Sequence, residues 1–227
     1  MRPSRLPAVT YLLVALVAPL MVFALYLIFQ YAPEERVMGA VQRVFYFHVP
    51  SAMVAFTSTF VLLLGSVGFL WTGRRGFDYL SIAATELAFL FCTLVIITGP
   101  IWAKPAWGTW WTWEAKLTTT LVLWLLLAAS MMVRSQAENR EQGARFGAIL
   151  GVVAALDVPV IYQATTWWRG QHPIVFGPGK RNPLEPQMLT AFLVAIGTFF
   201  VLYAVLLVLR YRVAAVEDRV RDLDELV

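Results

Sequence analysis

Residues 189–209 read LTAFLVAIGTFFVLYAVLLVL, twenty-one residues in a row without a charged side chain. A helix of about 20 apolar residues crosses the hydrocarbon core of a bilayer. Five more stretches of this kind lie at 8–30, 51–71, 80–102, 115–133 and 146–162. The 227-residue chain is 59% hydrophobic and only 14% charged, whereas about a quarter of the residues in a soluble domain are charged. The sequence therefore predicts an all-α, polytopic membrane protein with six transmembrane helices, and it excludes a soluble globule and a disordered chain.

The arginines and lysines predict how these helices are oriented. Eleven of the 18 lie in the segments on the side of the two termini, and seven lie in the segments on the other side. Because the cytoplasmic side of a membrane protein carries the excess of basic residues, both termini are predicted to be cytoplasmic. We divide the chain into a six-helix domain, 1–209, and a cytoplasmic C-terminal tail, 210–227. The helical spacing and mixed charge of the tail predict a short amphipathic helix.

Tryptophan is concentrated on one side of the predicted helices. Seven of the nine tryptophans lie at or beyond the outer ends: Trp102, Trp107, Trp110, Trp111, Trp113, Trp167 and Trp168. An aromatic belt is one explanation, but a belt lines both membrane surfaces, and the inner one has only Trp71 and a few tyrosines. We therefore favour a platform for a large, planar, apolar ligand. The spacing of Trp107, Trp110 and Trp111 predicts that a short interfacial helix presents these three side chains on one face.

The chain has two histidines, His48 and His172, and both fall in the predicted outer segments. Each alone fits an interfacial hydrogen-bonding residue, whereas together they can bind one haem iron from opposite faces. A metal site shared with Glu114 and Glu185 is a further alternative, because two histidines alone make a poor zinc site. Basic residues in the same segments suit the propionates of haem, although each also fits a cation that extends to the membrane surface. These residues are Arg43, Lys116 and Arg169.

Other residues limit the chemistry. A single cysteine, Cys92, excludes an intramolecular disulfide, a zinc–cysteine site and a covalent CxxCH haem attachment. The chain has no GxxxxGK[ST] sequence, so ATP hydrolysis would need another subunit, and we expect no catalytic side chain here. Glu86 and Asp157 lie within predicted membrane helices, where an acid serves either a proton pathway or a hydrogen-bonded structural role.

Three motifs resemble a known family. WGTWWTWEAKLT at 107–118 resembles the tryptophan-rich WWD signature of haem-handling membrane proteins of cytochrome c assembly. RVFYFHVPSA at 43–52 and WWRGQHP at 167–173 resemble the CcmC family, the haem exporter proteins C. The chain departs from the family pattern at Glu114, where the family usually has Asp, and at Lys116, where it usually has Arg. Because a lysine does not reproduce the two-pronged arginine fork, this departure bears on how a propionate is held.

The resemblance implies a set of roles for these residues. His48 and His172 would be the axial ligands of the haem iron, and Arg43, Glu114, Lys116 and Arg169 would contact propionates or a partner. Four tryptophans would form the haem platform: Trp107, Trp110, Trp111 and Trp113. The protein would bind haem b transiently and without a covalent bond.

The resemblance also implies a function and a location. The protein would hold haem at the periplasmic surface of the bacterial inner membrane and present it to the haem chaperone CcmE during cytochrome c maturation. It would act as a binding and transfer subunit, not an enzyme, beside CcmD and the ABC-type subunits CcmA and CcmB. Two alternatives remain: a membrane-bound b-haem electron-transfer protein, and a small transporter that uses Glu86 and Asp157 for proton coupling, with the tryptophans as an outer gate.

Overall fold

Six long helices account for most of the chain. The computed structural model describes residues 8–168, 170–172 and 184–224. The helices are α1 (Ala8–Tyr26), α2 (Phe45–Thr72), α3 (Arg75–Trp107), α4 (Ala115–Gln136), α5 (Arg140–Trp167) and α6 (Pro186–Asp224). All six are long and apolar enough to cross a membrane, and the described ranges contain no strand. The prediction of an all-α protein with six membrane-crossing helices is confirmed.

The helices extend beyond the apolar stretches that predicted them. A π-helical turn, Leu27–Tyr31, continues α1, and a 3-10 turn, Ala40–Val44, leads into α2. Pro50 lies inside α2, which already begins at Phe45, before the apolar stretch 51–71. Hydropathy did not locate these ends, because a proline inside a membrane helix costs one backbone hydrogen bond without ending the helix.

The helices pack through small residues. A methyl group added to Gly65 of α2 would lie 2.7 Å from Oγ of Ser81 in α3, and one added to Gly151 of α5 would lie 2.5 Å from Oγ of Ser66. Membrane helices associate by such close backbone approach, because lipid tails are as apolar as the side chains and burial alone gives little gain. The side chains between the helices are apolar and fully buried: Val54, Leu62, Ala84, Ala88, Leu123, Leu127, Ala154 and Ile161.

The two ends of the bundle differ in chemistry. One end, here called the histidine end, is where α2 and α4 begin and α3 and α5 end. At the opposite end, here called the charged end, Asp218 of α6 accepts hydrogen bonds from Arg75 at 2.7 Å, from Arg140 at 2.9 Å and from Tyr79 at 2.6 Å. The short helix predicted for the tail is the end of α6, which runs without interruption through residue 209 to Asp224. Asp218 ties this part of α6 to α3 and α5.

The two acids within membrane helices have different surroundings. Glu86 accepts a 2.7 Å hydrogen bond from Nη2 of Arg210, and Arg210 also contacts Glu217 at 3.3 Å. This arrangement fits the structural alternative for Glu86. Oδ2 of Asp157 is buried and has no hydrogen-bond partner within the described ranges.

Candidate functional site

A cavity of about 620 Å³ lies at the histidine end, between α2, α3, α4 and α5. Its volume falls in the range of small-molecule sites, about 300–1,000 Å³. The wall is mainly apolar and includes Phe45, Phe56, Val95, Ile96, Cys92 and Ile161. Both histidines of the chain line it. The bundle therefore encloses an apolar space beside the two candidate iron ligands.

His48 reaches the cavity from the first turns of α2. Its Nδ1 lies 2.9 Å from Oγ1 of Thr98, which belongs to α3. The imidazole is half-buried between the two helices that pack together most extensively. Because a hydrogen bond at Nδ1 leaves only Nε2, His48 has one nitrogen available to a ligand.

His172 reaches the cavity from the non-helical segment that follows α5. Its Nδ1 lies 3.3 Å from Oε1 of Glu114, close enough for an ion pair, although neither atom has an aligned hydrogen bond to another described residue. The other carboxylate oxygen, Oε2, accepts a 2.7 Å hydrogen bond from the backbone N–H of Gln171. A methyl group added to Gly170 would lie 2.8 Å from this same oxygen. Glu114 thus holds residues 170–172 against the tryptophan-rich segment, and a side chain at position 170 would require the carboxylate or the segment to shift.

The charge of Glu114 follows from these contacts. Burial of the carboxyl by itself raises the pKa of Glu114, but the interactions with His172 and with the N–H of Gln171 outweigh burial. The pKa of Glu114 therefore lies below its ordinary value, and the group is a carboxylate at neutral pH. A carboxylate can only accept hydrogen bonds, so it favours a proton on Nδ1 of His172 and leaves Nε2 of that ring available.

The two imidazoles lie side by side. Their ring centres are 6.4 Å apart, and the ring planes are inclined by 40°. A metal bound by one nitrogen of each ring at about 2 Å would separate the ring centres by about 6 Å. His48 and His172, which we paired from the sequence, therefore lie close together in the structure. The distance between their ring centres suits one shared metal ion.

The tryptophans are arranged differently from the prediction. α3 ends at Trp107 because Gly108 takes the left-handed conformation, with φ of +75°, that commonly terminates helices. Residues 108–114 are not helical, so the short interfacial helix expected to carry Trp107, Trp110 and Trp111 on one face is wrong. Trp107 and Trp111 line the cavity, whereas Trp110 and Trp113 are exposed. The backbone turn, not a helical face, separates the four side chains into two pairs.

Trp107 links the aromatic residues to His172. Its ring packs edge-on against that imidazole, with ring centres 5.8 Å apart, and against Trp102, at 5.6 Å. The indole N–H of Trp102 donates a 3.2 Å hydrogen bond to Oε1 of Gln42, just before α2. Edge contacts of this kind orient the aromatic rings relative to each other.

The four charged residues named as contacts have separate positions. Lys116 lines the cavity, and Glu114 holds the His172 segment. Arg43 is absent from the described cavity wall; its guanidinium lies 3.9 Å from Glu34 and 5.7 Å from the ring centre of Phe29. Arg169 lies outside the described residues.

The alternative of a mixed histidine and glutamate metal site has little support in the geometry. Glu185 lies 3.6 Å from Arg36 and forms an ion pair with it. Across the ranges the structure describes, no group of three or more His, Cys, Asp or Glu side chains is placed to hold a metal ion. Glu114 is the only one of the two candidate acids that contacts a histidine there.

The donor set of the cavity fits haem. Two imidazoles suit the iron, the apolar wall suits the ring, and Lys116 supplies a cation for a propionate. Besides His172, whose Nδ1 lies beside Glu114, two wall residues have buried polar atoms with no hydrogen-bond partner among the described residues: Nε1 of Trp111 and Oγ1 of Thr165. Because buried polar atoms are ordinarily paired, these two point to a ligand with hydrogen-bonding groups at its edge.

Comparison with known proteins identifies the family of this chain. The model of the family described as "Heme exporter protein C" matches residues 4–225. The chain belongs to the heme exporter protein C family. It is 30% identical over 193 residues to "Heme exporter protein C" of Bradyrhizobium diazoefficiens, which covers 85% of this chain and 73% of the relative. It is 29% identical to the protein of the same name from Haemophilus influenzae, over 83% of this chain and 77% of the relative.

This chain is also similar to a mitochondrial protein. The "Putative cytochrome c biosynthesis ccmC-like mitochondrial protein" of Marchantia polymorpha is 28% identical over 83% of this chain and 80% of its own length. The matches cover most of each chain, so this heme exporter protein C family member resembles its relatives over most of the six-helix bundle.

Two residues of the site had no signal in the sequence. Thr98 lies within a long apolar helix, where threonine commonly bonds to its own backbone. Gly170 lies in a segment rich in glycine and proline, where a glycine needs no special reason. Only the packing of α3 on α2, and of Glu114 on residues 170–172, reveals what these two residues contact.

Proposed function

We propose that this protein binds haem between His48 and His172 and presents it to a haem chaperone of the CcmE type during cytochrome c maturation. The observation that carries the proposal is the approach of the two imidazoles, with ring centres 6.4 Å apart, beside an apolar cavity of about 620 Å³. Membership of the heme exporter protein C family supports a role in haem handling for cytochrome c biogenesis.

Each cavity residue has a distinct part in this proposal. Nε2 of His48 and Nε2 of His172 bind the iron, and Trp107 and Trp111 contact the ring. Lys116 pairs with a propionate as a single point charge, since lysine lacks the arginine fork. Arg43 and Arg169 remain proposed as contacts for a propionate or a partner. The haem is held without a covalent bond, so its release requires the loss of at least one iron–nitrogen bond.

The exposed tryptophans suit the transfer step. Trp110 and Trp113 are 58% and 70% exposed beside the cavity residues Trp107 and Trp111. Large indole side chains are favoured at binding surfaces, because one end is apolar and the other can donate a hydrogen bond. We assign these two residues to the surface that meets the chaperone while the haem is still bound.

The proposal includes an orientation and a set of subunits. The excess of arginine at the charged end supports a cytoplasmic location for that end, so the histidine end faces the periplasm across the inner membrane. The protein belongs to a heme exporter complex in which CcmD, CcmA and CcmB are the proposed neighbours. ATP hydrolysis falls to another subunit, since this chain has no GxxxxGK[ST] sequence.

The visible absorption spectrum of the purified protein tests haem binding directly. We expect a Soret band in the wild type that is lost or shifted in both His48→Ala and His172→Ala, because each substitution removes one iron ligand. Trp71→Ala is the matched control, since Trp71 is 86% exposed at the charged end. A wild type that retains no Soret band after incubation with excess haem and removal of the unbound haem would refute the proposal.

The same sample separates transfer from the two alternatives. Movement of the haem from the wild-type protein to a purified CcmE-type chaperone supports the transfer function. A haem that stays bound and cycles between oxidation states with a membrane electron donor would favour electron transfer instead. Proton-coupled uptake that Glu86→Gln abolishes, without bound haem, would favour the transporter.

A further inference from the structure

Thr98 makes two hydrogen-bonding contacts through one oxygen atom. Its Oγ1 lies 2.6 Å from the carbonyl oxygen of Leu94, one turn earlier in α3, and 2.9 Å from Nδ1 of His48 in α2. A hydroxyl has one hydrogen, and a carbonyl oxygen has none. The contact with Leu94 therefore requires the hydrogen of Thr98, because two oxygens at 2.6 Å repel each other without a hydrogen between them.

The direction of the second contact follows. With its hydrogen on the Leu94 carbonyl, Oγ1 of Thr98 can only accept from His48. Nδ1 of His48 must then carry the proton of the neutral ring, and Nε2 keeps its lone pair. The chain of hydrogen bonds runs from His48 to Thr98 to Leu94, and a neutral imidazole in this form binds a metal through Nε2 alone.

Thr93, in the same helix, has the same two contacts, and its partner in the neighbouring helix is an indole N–H, which can only donate. Thr93 donates a 2.7 Å hydrogen bond to the carbonyl of Phe89, and its Oγ1 lies 2.8 Å from Nε1 of Trp124. An indole N–H can only donate, so Thr93 accepts from the neighbouring helix while it donates along its own. Thr98 repeats this arrangement with an imidazole in place of the indole.

We propose that Thr98 is a positioning residue that holds His48 in the Nδ1-protonated form and so keeps Nε2 available to the haem iron. The assignment of the ring proton rests on the geometry of α2 and α3, and its consequence for haem rests on the proposed function. Residues that hydrogen-bond a ligating histidine fix its orientation and its proton, and their loss typically lowers metal affinity 10- to 100-fold.

Nitrogen-15 NMR of the haem-free protein tests the position of the proton. The chain has two histidines, so the His172→Ala variant labelled with 15N-histidine reports His48 alone. At about pH 8.5, where an ordinary imidazole is neutral, we expect a protonated-type shift for Nδ1 and an unprotonated-type shift for Nε2. Thr98→Val keeps the shape and removes the acceptor, so it should move the proton toward Nε2, and Thr98→Ser should restore the original shifts.

A haem titration of the protein with both histidines tests the consequence. Thr98→Val should weaken haem binding about 10-fold, and Thr98→Ser should bind within about 2-fold of the wild type. Thr93→Val is the matched control: it removes the same kind of hydrogen bond from the same helix and should change neither the shifts of His48 nor the affinity.

Several results would overturn the inference. They are a proton on Nε2 of His48 in the protein with Thr98, shifts that do not change in Thr98→Val, and equal losses of affinity in Thr98→Val and Thr93→Val. If the wild type binds no haem, the proposed function fails, whereas the NMR shifts still decide whether Thr98 sets the proton of His48.

Discussion

His48 and His172 face the same cavity from two different kinds of structure. His48 belongs to a long helix and bonds to Thr98 of the neighbouring helix, so the packing of α2 on α3 fixes its position. His172 belongs to a non-helical segment, and the described contacts that hold this segment centre on the carboxylate of Glu114. The packing of two helices therefore positions His48, whereas the described polar contacts of the His172 segment come from one side chain, that of Glu114.

The two histidines therefore depend on different parts of the molecule: His48 on the packing of two helices, and His172 on contacts close to it. The contacts of His48 persist as long as α2 and α3 pack together. The described polar contacts of the His172 segment can be removed by one substitution, at Glu114, that leaves the bundle intact. Substitutions around His172 should therefore change haem binding with little change in stability.

The largest effect is expected from the histidines themselves. In His48→Ala and in His172→Ala the Soret band of the wild type should be lost or shifted, because one iron ligand is missing in each. Addition of free imidazole should restore the wild-type band in both variants, since the deleted ring leaves a space of its own shape. Rescue of only one variant would show that the two sides of the site are not equivalent as ligand positions, and failure of both would argue against ligation by these residues.

Loss of the Glu114 carboxylate is expected to come next. Glu114→Ala removes the acceptor for Gln171 and the partner of His172, so haem affinity should fall about 10- to 100-fold, as for other groups that orient a ligating histidine. Glu114→Gln keeps an acceptor for the backbone N–H but loses the charge, and it should lie between Ala and the wild type. A haem titration measures all three, and equal affinities in wild type and Glu114→Ala would show that His172 does not depend on this contact.

Substitution of Gly170, in the segment that contains His172, should lower haem affinity less than substitution of Glu114. The methyl group of Gly170→Ala would lie 2.8 Å from Oε2 of Glu114, so the carboxylate or the segment must shift by a few tenths of an ångström. We expect a several-fold loss of haem affinity with an unchanged unfolding temperature. Gly197→Ala is the control, because a methyl group there meets no atom within 4 Å. A Gly170→Ala protein that behaves like Gly197→Ala would contradict the tight approach of Glu114.

The smallest effect on haem affinity is expected from a substitution at the charged end. Asp218→Asn weakens the contacts with Arg75, Arg140 and Tyr79 and should lower stability by about 1–3 kcal/mol. Haem affinity should stay at the wild-type value, because the cavity lies at the opposite end of the bundle. Thermal unfolding in detergent and a haem titration on the same sample test both statements. A parallel loss of affinity would mean that the two ends are coupled.

The six helices could be predicted from the sequence, but their ends could not. Hydropathy identifies a membrane helix by its apolar core, and the bilayer thickness sets its length. It placed the end of the third helix at 102, whereas α3 continues through Pro100 and Pro105 to Trp107. The sequence signal for the end of α3 is Gly108, because glycine commonly terminates helices in the left-handed conformation.

The site was predicted in part. The pairing of His48 with His172 followed from their position in the predicted outer segments, and the structure places them together. Thr98 could not be found this way, because it is 50 residues from His48 in the chain and meets it only through the register of α2 against α3. Arg43 is predicted to contact a propionate or a partner, and in the structure its guanidinium lies beside Glu34 and Phe29, away from the described cavity wall.

Electron paramagnetic resonance of the ferric, haem-loaded protein tests ligation by both histidines most directly. Two imidazole ligands produce low-spin ferric haem, whereas the loss of one strong ligand produces a high-spin signal. We predict a low-spin spectrum for the wild type and a high-spin spectrum for both His48→Ala and His172→Ala. A low-spin spectrum that persists in both variants would contradict the binding of haem between these two residues.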